Sequence, residues 1–553
     1  MLPTHTDMAS KNSKSYMDLP SFLQPLRIDP ETLYELSYRL SLSYKKLAAS
    51  PDQFFPTPIT RLPTGHEKGR YLAVYVGLSY LRVAFIELVG DRQTVRRTLE
   101  KAWPIEEHLR RDHAPAFFTW IGDCIAEVVG DSLENQNETM PRELTTGISF
   151  CFPIKHKSLD EAILMPTGKG FALNSDLNLH QALLDGYECH TRSSDGETEE
   201  VPSKRRKLFS LPKLKIAVMT NDSTATLASL AIHSLPNTRV VMGLIIGAGC
   251  NATVPMKLAD LHDCKTRHIR AGNPEAVEAL VSTEWTLSDA TAPIFELDIR
   301  TKWDNDLDLQ SRKPGFQPLE YMIGGRYVGE LVRLVSYDWF HTQLGIPRSS
   351  LPLKIATEYS LSTDFLSLVV ACNQCNERLA KRLSEELPPP PTSDWNWTPD
   401  SARDLRVIAS SVQDRAASLV AAATVGLLVC TGEITLQRPG TSNSNAIQKQ
   451  SPTQAAPDGK LQTDPSTSGW KNGPEELAVA VSGGVIQHYP HYKEKVQRYI
   501  DQLLIRAGPQ QGGKSVFLRV ASDGGLIGTG VLAGTAAGEI WEIIGSSFNV
   551  GLR

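Results

Sequence analysis

Apolar residues recur along the chain at two spacings, and each spacing predicts a different element. Between residues 30 and 47 they return at every third or fourth position, which predicts an amphipathic helix opened by Asp29 and Pro30. Residues 71–90 are almost continuously apolar around Gly77, which predicts two strands joined by a tight turn. The same patterns predict strands at 144–152, 216–219 and 240–246 and helices at 317–336, 363–386 and 401–432. This mixture of elements indicates an α/β fold.

Three segments lack the apolar residues that a packed element needs. Residues 1–20, 191–210 and 436–474 are dominated by polar, charged, proline and glycine residues. Such segments cannot bury enough surface to offset the entropy cost of ordering them. We therefore predict a disordered N-terminus and two disordered insertions, the first of them charged and basic and the second of low complexity. Residues 21–70 are predicted to form an N-terminal helix and a connector.

Composition and charge exclude several classes of function. The chain has 553 residues, of which 41% are hydrophobic and 22% charged, which is the balance of a globular protein with more than one lobe. Its net charge of −5 gives no general attraction to nucleic acid, so no direct nucleic-acid binding is predicted. There is no apolar leader near the start and no run of 18 uncharged apolar residues, so we predict no secretion signal and no membrane span.

The cysteines predict free thiols rather than a metal site or a disulfide scaffold. Eight of them are scattered through a long chain, which is typical of a reducing compartment. Cys372 and Cys375 form one Cys-x-x-Cys pair, but zinc needs a second pair of ligands and the neighbouring sequence offers none. We therefore predict no metal ligands in this sequence.

Eight segments carry glycine-rich turns or polar groups that suit chemistry on a phosphate and a sugar. In chain order they are TRLPTGHEKGRYLAVYVGLSYLRV (60–83), CFPIKHKSLDEAILMPTGKGF (151–171), MTNDSTATLASLA (219–231), GLIIGAGCNATVP (243–255), STEWT (282–286), LEYMIGGRYVGELVRLV (319–335), AVSGGVIQHYP (480–490) and ASDGGLIGTG (521–530). Each is weak alone, but their order resembles that of the sugar kinases of the hexokinase family. The resemblance covers about residues 22–435 and 476–545. Within the family, the residues of these motifs are similar to those of the N-acetylglucosamine kinase branch.

The resemblance implies a two-lobed fold of the actin-like ATPase class, with a sugar bound between the lobes. We expect the small lobe to hold 71–222 together with a C-terminal tail at 531–553. The large lobe is expected to hold 223–530. In this arrangement the sugar ligands come from both lobes, so a bound sugar is expected to draw the lobes together.

The sugar side of the resemblance is nearly complete. Asp222 follows a predicted strand and, by resemblance, is the base that accepts the proton of the sugar's 6-hydroxyl. An alternative for Asp222 is a helix-capping role, because Asn-Asp-Ser also suits a helix N-terminus. Cys151 and Gly168 stand where the family has hydroxyl side chains, which removes two hydrogen bonds of ~1 kcal/mol each. By resemblance the sugar-binding residues are Cys151, Gly168, Lys169, Asn221, Asp222, Asn251, Glu284 and Glu320.

The nucleotide side departs from the family pattern at several positions. Tyr75 replaces an aspartate that supports hydrated Mg²⁺, and a phenol with a pKa near ~10 is not anionic at pH 7. Leu78 replaces a glycine where backbone N–H groups approach phosphate, and we expect its branched side chain to obstruct that approach. Ala248, Ser482, Gly484, Ser522 and Gly525 also replace the family's polar or acidic side chains. The other positions that match the nucleotide-binding segments are Gly77, Ser79, Arg82, Gly247, Gly249, Gly483, Asp523 and Gly524.

Taken together, these residues predict a sugar-binding protein that has lost most or all kinase activity. The resemblance implies ATP–Mg²⁺ as phosphate donor, yet each missing group typically costs ~10²–10⁴ in rate. The pattern is similar to that of atypical fungal hexokinases, which implies a regulatory role in the response to carbon source or starvation, exerted on transcription through regulatory protein partners. Two alternatives stay open: an active ATP-dependent hexose or N-acetylglucosamine kinase, and a scaffold that binds neither ligand.

One basic run suggests where the protein acts. Lys204, Arg205, Arg206 and Lys207 are consecutive and lie in the charged insertion. Four adjacent basic residues fit a nuclear-import signal, and they equally fit a solvated loop of mixed charge. The sequence therefore predicts location in the nucleus, the cytoplasm or both.

Overall fold

The fold is taken from a computed structural model of the chain. The structure describes residues 17–92, 94–111, 113–135, 141–165, 171–173, 176–191, 211–233, 235–439 and 475–549, with only the backbone at 135 and 539–549. Most of 1–20, 191–210 and 436–474, where we predicted disorder, lies outside the described residues, as do Gly168, Lys169 and Lys204 to Lys207.

Thirteen strands are assigned in the described part of the chain. They are β1 Phe55–Pro56, β2 Gly69–Val76, β3 Tyr80–Leu88, β4 Val95–Pro104, β5 Glu143–Phe150, β6 Ile154–His156, β7 Ala162–Leu164, β8 Lys213–Asn221, β9 Thr238–Ile246, β10 Cys250–Lys257, β11 Glu278–Ser282, β12 Glu476–Ser482 and β13 Ser515–Val520.

Eighteen α-helices are assigned in the same residues. They are α1 Leu19–Phe22, α2 Pro30–Ala48, α3 Glu107–Arg111, α4 Ala114–Asn135, α5 Leu179–Glu188, α6 Asp222–Ala231, α7 Asp263–Gly272, α8 Ala292–Glu296, α9 Lys302–Gln310, α10 Pro318–Ile323, α11 Gly325–Tyr337, α12 Leu353–Ala356, α13 Thr363–Phe365, α14 Asn376–Glu386, α15 Pro399–Cys430, α16 Gly484–His488, α17 Tyr492–Ala507 and α18 Gly524–Asn549.

The two main sheets share one topology. The five-stranded sheet runs β4-β3-β2-β5-β8, and the six-stranded sheet runs β1-β11-β10-β9-β12-β13. In each, three antiparallel strands continue into two parallel strands, and the six-stranded sheet has β1 as an additional antiparallel edge strand. We call the parts of the chain built on the five-stranded and the six-stranded sheet the small lobe and the large lobe. The first hairpin turn of each lobe, at 77–79 and at 247–249, is one of the two glycine-rich turns singled out in the sequence.

The large lobe is organised around α15, whose apolar residues are buried along most of its length. By length and composition this helix of 32 residues is the one described helix that could cross a membrane, and 89% of its most apolar stretch is buried in the protein. That burial is what a core helix shows. At the start of the chain, the predicted helix at 30–47 is confirmed as α2, with Asp29 accepting hydrogen bonds from the amides of Glu31 and Thr32 at 3.0 and 2.9 Å.

Two helices join the lobes through close backbone contacts. Helix α6 follows the last strand of the small-lobe sheet and packs on β9, where a Cβ at Gly243 would lie 2.1 Å from the Ser223 carbonyl oxygen. Helix α18 crosses α6 so closely that a Cβ at Gly528 would lie 1.7 Å from the Ala225 carbonyl oxygen. Since no side chain fits at either crossing, glycine is required at both. The expected C-terminal tail at 531–553 thus starts earlier, as a helix from Gly524 that covers the small-lobe sheet.

Two predicted helices are broken. The helix expected over 317–336 ends at Ile323 and restarts at Gly325, because Gly324 adopts an extended backbone conformation between α10 and α11. The helix expected over 363–386 changes to a π-helix at Leu366–Ala371 and is interrupted before α14 begins at Asn376. The apolar spacing continues across both breaks, so periodicity alone did not detect them.

Candidate functional site

Asp222 lies where β8 passes into α6, between the two lobes. The N-cap of α6 is the preceding residue, since the Asn221 side-chain oxygen accepts from the Thr224 amide at 2.9 Å. The capping role considered for Asp222 therefore belongs to Asn221. Only 7% of the Asp222 surface is exposed. A buried carboxylate at the end of a strand between the lobes can act as a base.

A network of buried side chains connects Asn221 to the large lobe. The Asn221 amide donates to the Ser282 hydroxyl at 2.6 Å, and the Asn251 amide donates to that hydroxyl at 3.0 Å. Ser282 in turn donates to the Glu284 carboxylate at 3.1 Å, and the Asn251 amide also donates to this carboxylate at 2.8 Å. Four polar side chains from β8, β10 and the end of β11 are thus brought together. Ser282 was missed from the sequence, although it begins the STEWT segment.

The backbone around Glu284 is held in an unusual conformation. Its φ is 48°, a left-handed value that costs a non-glycine residue ~1 kcal/mol or more and that clusters at ligand sites. Gln53, which follows α2, stabilises this turn by donating to the carbonyl of Glu284 at 2.6 Å and to that of Thr283 at 3.2 Å. No signal in the sequence pointed to Gln53, because it is remote from the segments it supports.

Glu320 lies at the same site, in the first turn of α10. It is 2% exposed, and its carboxylate accepts from the Cys250 amide at 2.9 Å, next to Asn251. Cys151 follows β5, with its amide donating to the Val76 carbonyl at 3.0 Å, and is also buried. The structure therefore gathers six of the eight residues that the sequence assigned to sugar, and the remaining two, Gly168 and Lys169, lie outside the described residues.

The ring of Tyr75 lies between the first hairpin turn and the start of α18. A Cβ added at Gly77 would be 3.1 Å from the ring's Cε1, and one added at Gly525 would be 3.0 Å from its Cε2. Burial raises the pKa of the Tyr75 phenol well above its usual value, and the nearby carboxylate of Asp222 and thiol of Cys151 raise this pKa further. The phenol is therefore neutral at pH 7, and it lies close to the candidate base.

The obstruction expected from Leu78 is wrong in its detail. Its side chain is half-buried and packs against the apolar core of the small lobe. The turn itself is held by the Gly77 amide, which donates to the Tyr80 carbonyl at 2.9 Å, and by the Ile105 amide, which donates to the Ser79 carbonyl at 2.8 Å. The side chain that fills space beside this turn is thus Tyr75 rather than Leu78.

Arg82 and Asp523 belong to a four-residue ion network beside the same turn. Arg82 contacts Asp523 at 2.7 Å and Glu100 at 2.5 Å, and Arg97 contacts Glu100 at 2.9 Å and also pairs with Asp523. Partial burial raises the pKa of Asp523, but the hydrogen bonds from the two arginines outweigh it and leave the pKa below its usual value. The carboxylate of Asp523 is committed to Arg82 and Arg97.

The large-lobe turn at 247–249 keeps a glycine-lined surface. Gly325 and Arg326, at the start of α11, donate their amides to the carbonyls of Gly247 and Ala248 at 2.8 and 3.0 Å. Gly483, with a φ of 115°, brings the end of β12 within 3.5 Å of the position that a Cβ at Gly247 would take. Ser482 ends β12, and a Cβ at Gly484 would meet nothing within 4 Å. A side chain at 484 would therefore meet no steric obstacle, and glycine there leaves the turn without a polar side chain at that position.

The residues present do not fit a magnesium-bound triphosphate on the small-lobe side. The space beside Gly77 is filled by the Tyr75 ring, and the nearby Asp523 is paired with two arginines. Mg²⁺ wants anionic oxygen ligands or carboxylates that orient its water shell. Among the described residues here, Asp222 is the carboxylate still placed to do so.

The fold and the site define a two-lobed α/β protein with a cluster of buried polar side chains between its lobes. Two models of the hexokinase family match the chain, one at residues 18–232 and the other at residues 241–535. The chain therefore belongs to the hexokinase family, as the sequence motifs indicated.

Individual relatives agree with this assignment. The chain is 31% identical to a hexokinase of Schistosoma mansoni over 332 residues, which span 60% of this chain and 65% of that protein. It is 24% identical to Hexokinase-7 of rice (Oryza sativa subsp. japonica) over 480 residues, 86% of each chain. The solved structure of the Schistosoma mansoni hexokinase complexed with glucose superimposes with a TM-score of 0.70 at 21% identity, covering 94% of this chain and 98% of that one. This likeness confirms the two-lobed actin-like ATPase fold.

A buried histidine beneath the site makes stability depend on pH. His156, in β6, is 6% exposed and hydrogen-bonds the Met219 carbonyl at 3.0 Å, two residues before Asn221. Burial lowers its pKa from 6.5 to about 4. Between these two pKa values, His156 is protonated in the unfolded chain and neutral in the folded chain. Stability is full above pH ~6.5 and falls by up to ~3 kcal/mol as the pH drops towards ~4.

We expect His156→Asn to flatten the dependence of melting temperature on pH between pH 6.5 and 4.5, because asparagine can donate to the same carbonyl without titrating. His108→Asn is the matched control, since the His108 side chain is 68% exposed. Parallel melting profiles for the wild type and His156→Asn across this range would contradict the assignment.

Proposed function

We propose that this member of the hexokinase family binds a hexose or N-acetylhexosamine between its lobes and has lost efficient phosphoryl transfer. The single observation that carries the proposal is the position of the Tyr75 ring, which lies between Gly77 and Gly525 where the family pattern has an aspartate and a serine. Six of the eight residues assigned to sugar by resemblance lie among the described residues. Binding and catalysis have separate requirements, so one can survive without the other.

The sugar side supports binding. Asn221, Asn251, Glu284 and Glu320 are each no more than 7% exposed and converge on one region with Asp222. Carboxylates accept hydrogen bonds from more than one hydroxyl, and charged hydrogen bonds are the strong ones. A hexokinase of the same fold is known complexed with glucose. With Cys151 in place of a hydroxyl, we expect an affinity of order ~1 mM, or ~−4 kcal/mol.

The residues on the phosphate side support loss of catalysis. Two of their departures from the family pattern, Tyr75 and Gly525, occupy neighbouring space in the structure. A serine Cβ at position 525 would lie 3.0 Å from the Tyr75 ring, closer than side chains normally pack. Tyr75 therefore leaves a side chain at 525 little room unless the ring shifts by a few tenths of an ångström, and the pair together removes a carboxylate and a hydroxyl. Ala248 removes a further hydroxyl from the opposing turn. Phosphoryl transfer depends almost entirely on such positioned groups.

The second candidate is an active ATP-dependent kinase that phosphorylates the sugar 6-hydroxyl. Asp222 is buried and is not the N-cap of α6. This favours the active kinase, because a protein that only binds sugar has less need of a base. The similarity to a hexokinase over 86% of the chain favours it as well. Under this candidate, Asp222 takes the proton and Glu284 and Glu320 orient the ring hydroxyls.

An assay of ADP release separates these candidates. With ATP–Mg²⁺ and glucose, mannose or N-acetylglucosamine, we expect the wild-type protein to release ADP no faster than the Asp222→Ala variant. Calorimetry with the same sugars, without nucleotide, is expected to show binding. Sugar-dependent ADP release that Asp222→Ala abolishes would establish the kinase instead. If the protein neither binds sugar nor releases ADP, it is the scaffold considered from the sequence.

We further propose that the bound sugar reports on carbon supply to regulatory partners. A millimolar dissociation constant suits a nutrient whose concentration varies in the millimolar range, because the fraction of protein with bound sugar then changes with supply. The nuclear address suggested by Lys204 to Lys207 is part of this proposal. A reporter fused to the full chain, with and without alanine at these four positions, tests it.

A further inference from the structure

We propose a zinc-class metal site on the small lobe, formed by Asp123, Cys189 and His190. The donor atoms of these three side chains lie within 4.8 Å of one another. Asp123 is on α4, whereas Cys189 and His190 follow directly after α5. The site is remote in sequence from every segment assigned to sugar or nucleotide.

The fold brings these residues together through a close helix crossing. A Cβ at Gly122 would lie 2.1 Å from the Gly186 carbonyl oxygen, and a Cβ at Gly186 would lie 2.2 Å from the Phe118 carbonyl oxygen. Two helices packed this closely have little freedom to slide, so Asp123 is fixed beside the end of α5. His190 Nε2 is 2.8 Å from Asp123 Oδ1. The donors are thus placed by the backbone rather than by chance approach of long side chains.

The chemistry of the donors selects the metal. A thiolate, an imidazole and a carboxylate form a soft to borderline set that suits Zn²⁺ and Co²⁺ and is poor for Mg²⁺ or Ca²⁺. Tetrahedral zinc places its donors about 3–4 Å apart. The His190 and Asp123 donors, now 2.8 Å apart, would separate slightly to admit the ion, and donors that all lie within 4.8 Å need only small side-chain adjustments. The site also lies at the C-terminus of α5, where the helix dipole favours a cation. Three protein ligands leave one position for water.

The site lies next to the described residues that flank the charged segment. The His190 carbonyl accepts from the Leu211 amide at 3.0 Å, so His190 is paired with the first described residue after the charged segment. A metal bound to His190 would therefore tie α4 to both ends of that segment. Zinc binding is expected to stabilise the small lobe by mass action.

Titration of the full-length protein with Co²⁺ tests this proposal. We expect one equivalent to bind with a thiolate-to-cobalt charge-transfer band, and Zn²⁺ to displace it and raise the melting temperature. Cys189→Ser should abolish the band, and His190→Gln should weaken binding at least ~10-fold, since even loss of groups supporting a ligand costs 10–100-fold. Affinity should fall at acid pH, because the metal competes with protons for the thiolate and imidazole.

A second exposed histidine–cysteine pair provides the matched control. His262 Nδ1 lies 3.0 Å from Cys264 Sγ, but no third donor joins them among the described residues. Cys264→Ser should leave the cobalt spectrum unchanged, as should the double substitution Cys372→Ser/Cys375→Ser. A band that survives Cys189→Ser, or one that is lost with either control, would overturn the proposal. Circular dichroism of the metal-free variants separates loss of binding from loss of fold.

Discussion

Replacing Arg415 with methionine is expected to destabilise the large lobe by ~3–5 kcal/mol, because the change leaves a carboxylate buried without its partner. The Arg415 guanidinium, in the middle of α15, donates to both carboxylate oxygens of Asp304 at 2.8 and 2.5 Å. The exposed side-chain fractions are 0% and 2%. Burial alone would raise the pKa of Asp304, but Arg415 and Thr301 hold it below its usual value. The carboxylate is therefore charged at neutral pH and depends on the arginine.

Urea unfolding followed by tryptophan fluorescence measures this effect, since Trp303 is the residue next to Asp304. Adding Asp304→Asn to Arg415→Met should recover most of the loss, because no charge is then buried and asparagine can still accept from the Thr301 amide. The difference between wild type and Arg415→Met should shrink as the pH falls below ~4, where the carboxyl is protonated in the unfolded chain. A loss below ~1 kcal/mol at pH 7 would show that the ion pair is not needed for stability.

Removing the carboxylate of Glu320 is expected to weaken sugar binding by at least ~10-fold, because a charged hydrogen bond contributes ~1.5–3 kcal/mol. Glu320 accepts from the Cys250 amide and comes from the large lobe, while Asn221 and Asp222 come from the small lobe. A sugar bound between them should favour a closed arrangement. Small-angle scattering with glucose or N-acetylglucosamine is expected to show compaction in the wild type and none in Glu320→Ala.

Two further variants make the sugar result interpretable. Glu320→Gln keeps an acceptor for the Cys250 amide, so it should fold normally and bind with intermediate affinity. Glu275→Ala removes an exposed acid outside the site and should bind as the wild type does. Calorimetry at tens of millimolar sugar measures these affinities. If the wild type and Glu320→Ala bind sugar equally well, Glu320 is not a sugar ligand. No response by any of these proteins would refute sugar binding altogether.

The sequence predicted the fold through local signals and the site through ordered motifs. Apolar runs located four of the five strands of the small-lobe sheet but only β9 of the large-lobe sheet. Short polar motifs identified Asn221, Asn251, Glu284 and Glu320 as candidates before the structure placed them together. The helix break at 324–325 coincides with a Gly-Gly pair, a local signal that the apolar periodicity does not carry. The break at 372–375 has no glycine or proline to mark it, so nothing local indicated it.

Contacts between distant segments could not be predicted. Ser282 joins Asn221 to Glu284 only because β8 and β11 meet across the lobes. Gln53 supports Glu284 from a position more than 200 residues earlier. The sequence identified Tyr75 and Gly525 as separate departures from a family pattern, and only the structure shows that they share one space. The same limit explains why the pairing of Asp123 with Cys189 and His190 was missed.

The crossing of α18 over α6 has a consequence for how the chain is made. The sheet of the small lobe is complete in sequence at Asn221, but the helix that covers it begins at Gly524, after almost the whole large lobe has been synthesised. A nascent chain must therefore hold an uncovered apolar sheet face while the ribosome translates the intervening residues. Such a face is a target for chaperones and for aggregation. We expect the lobes to mature together after translation rather than in order of synthesis.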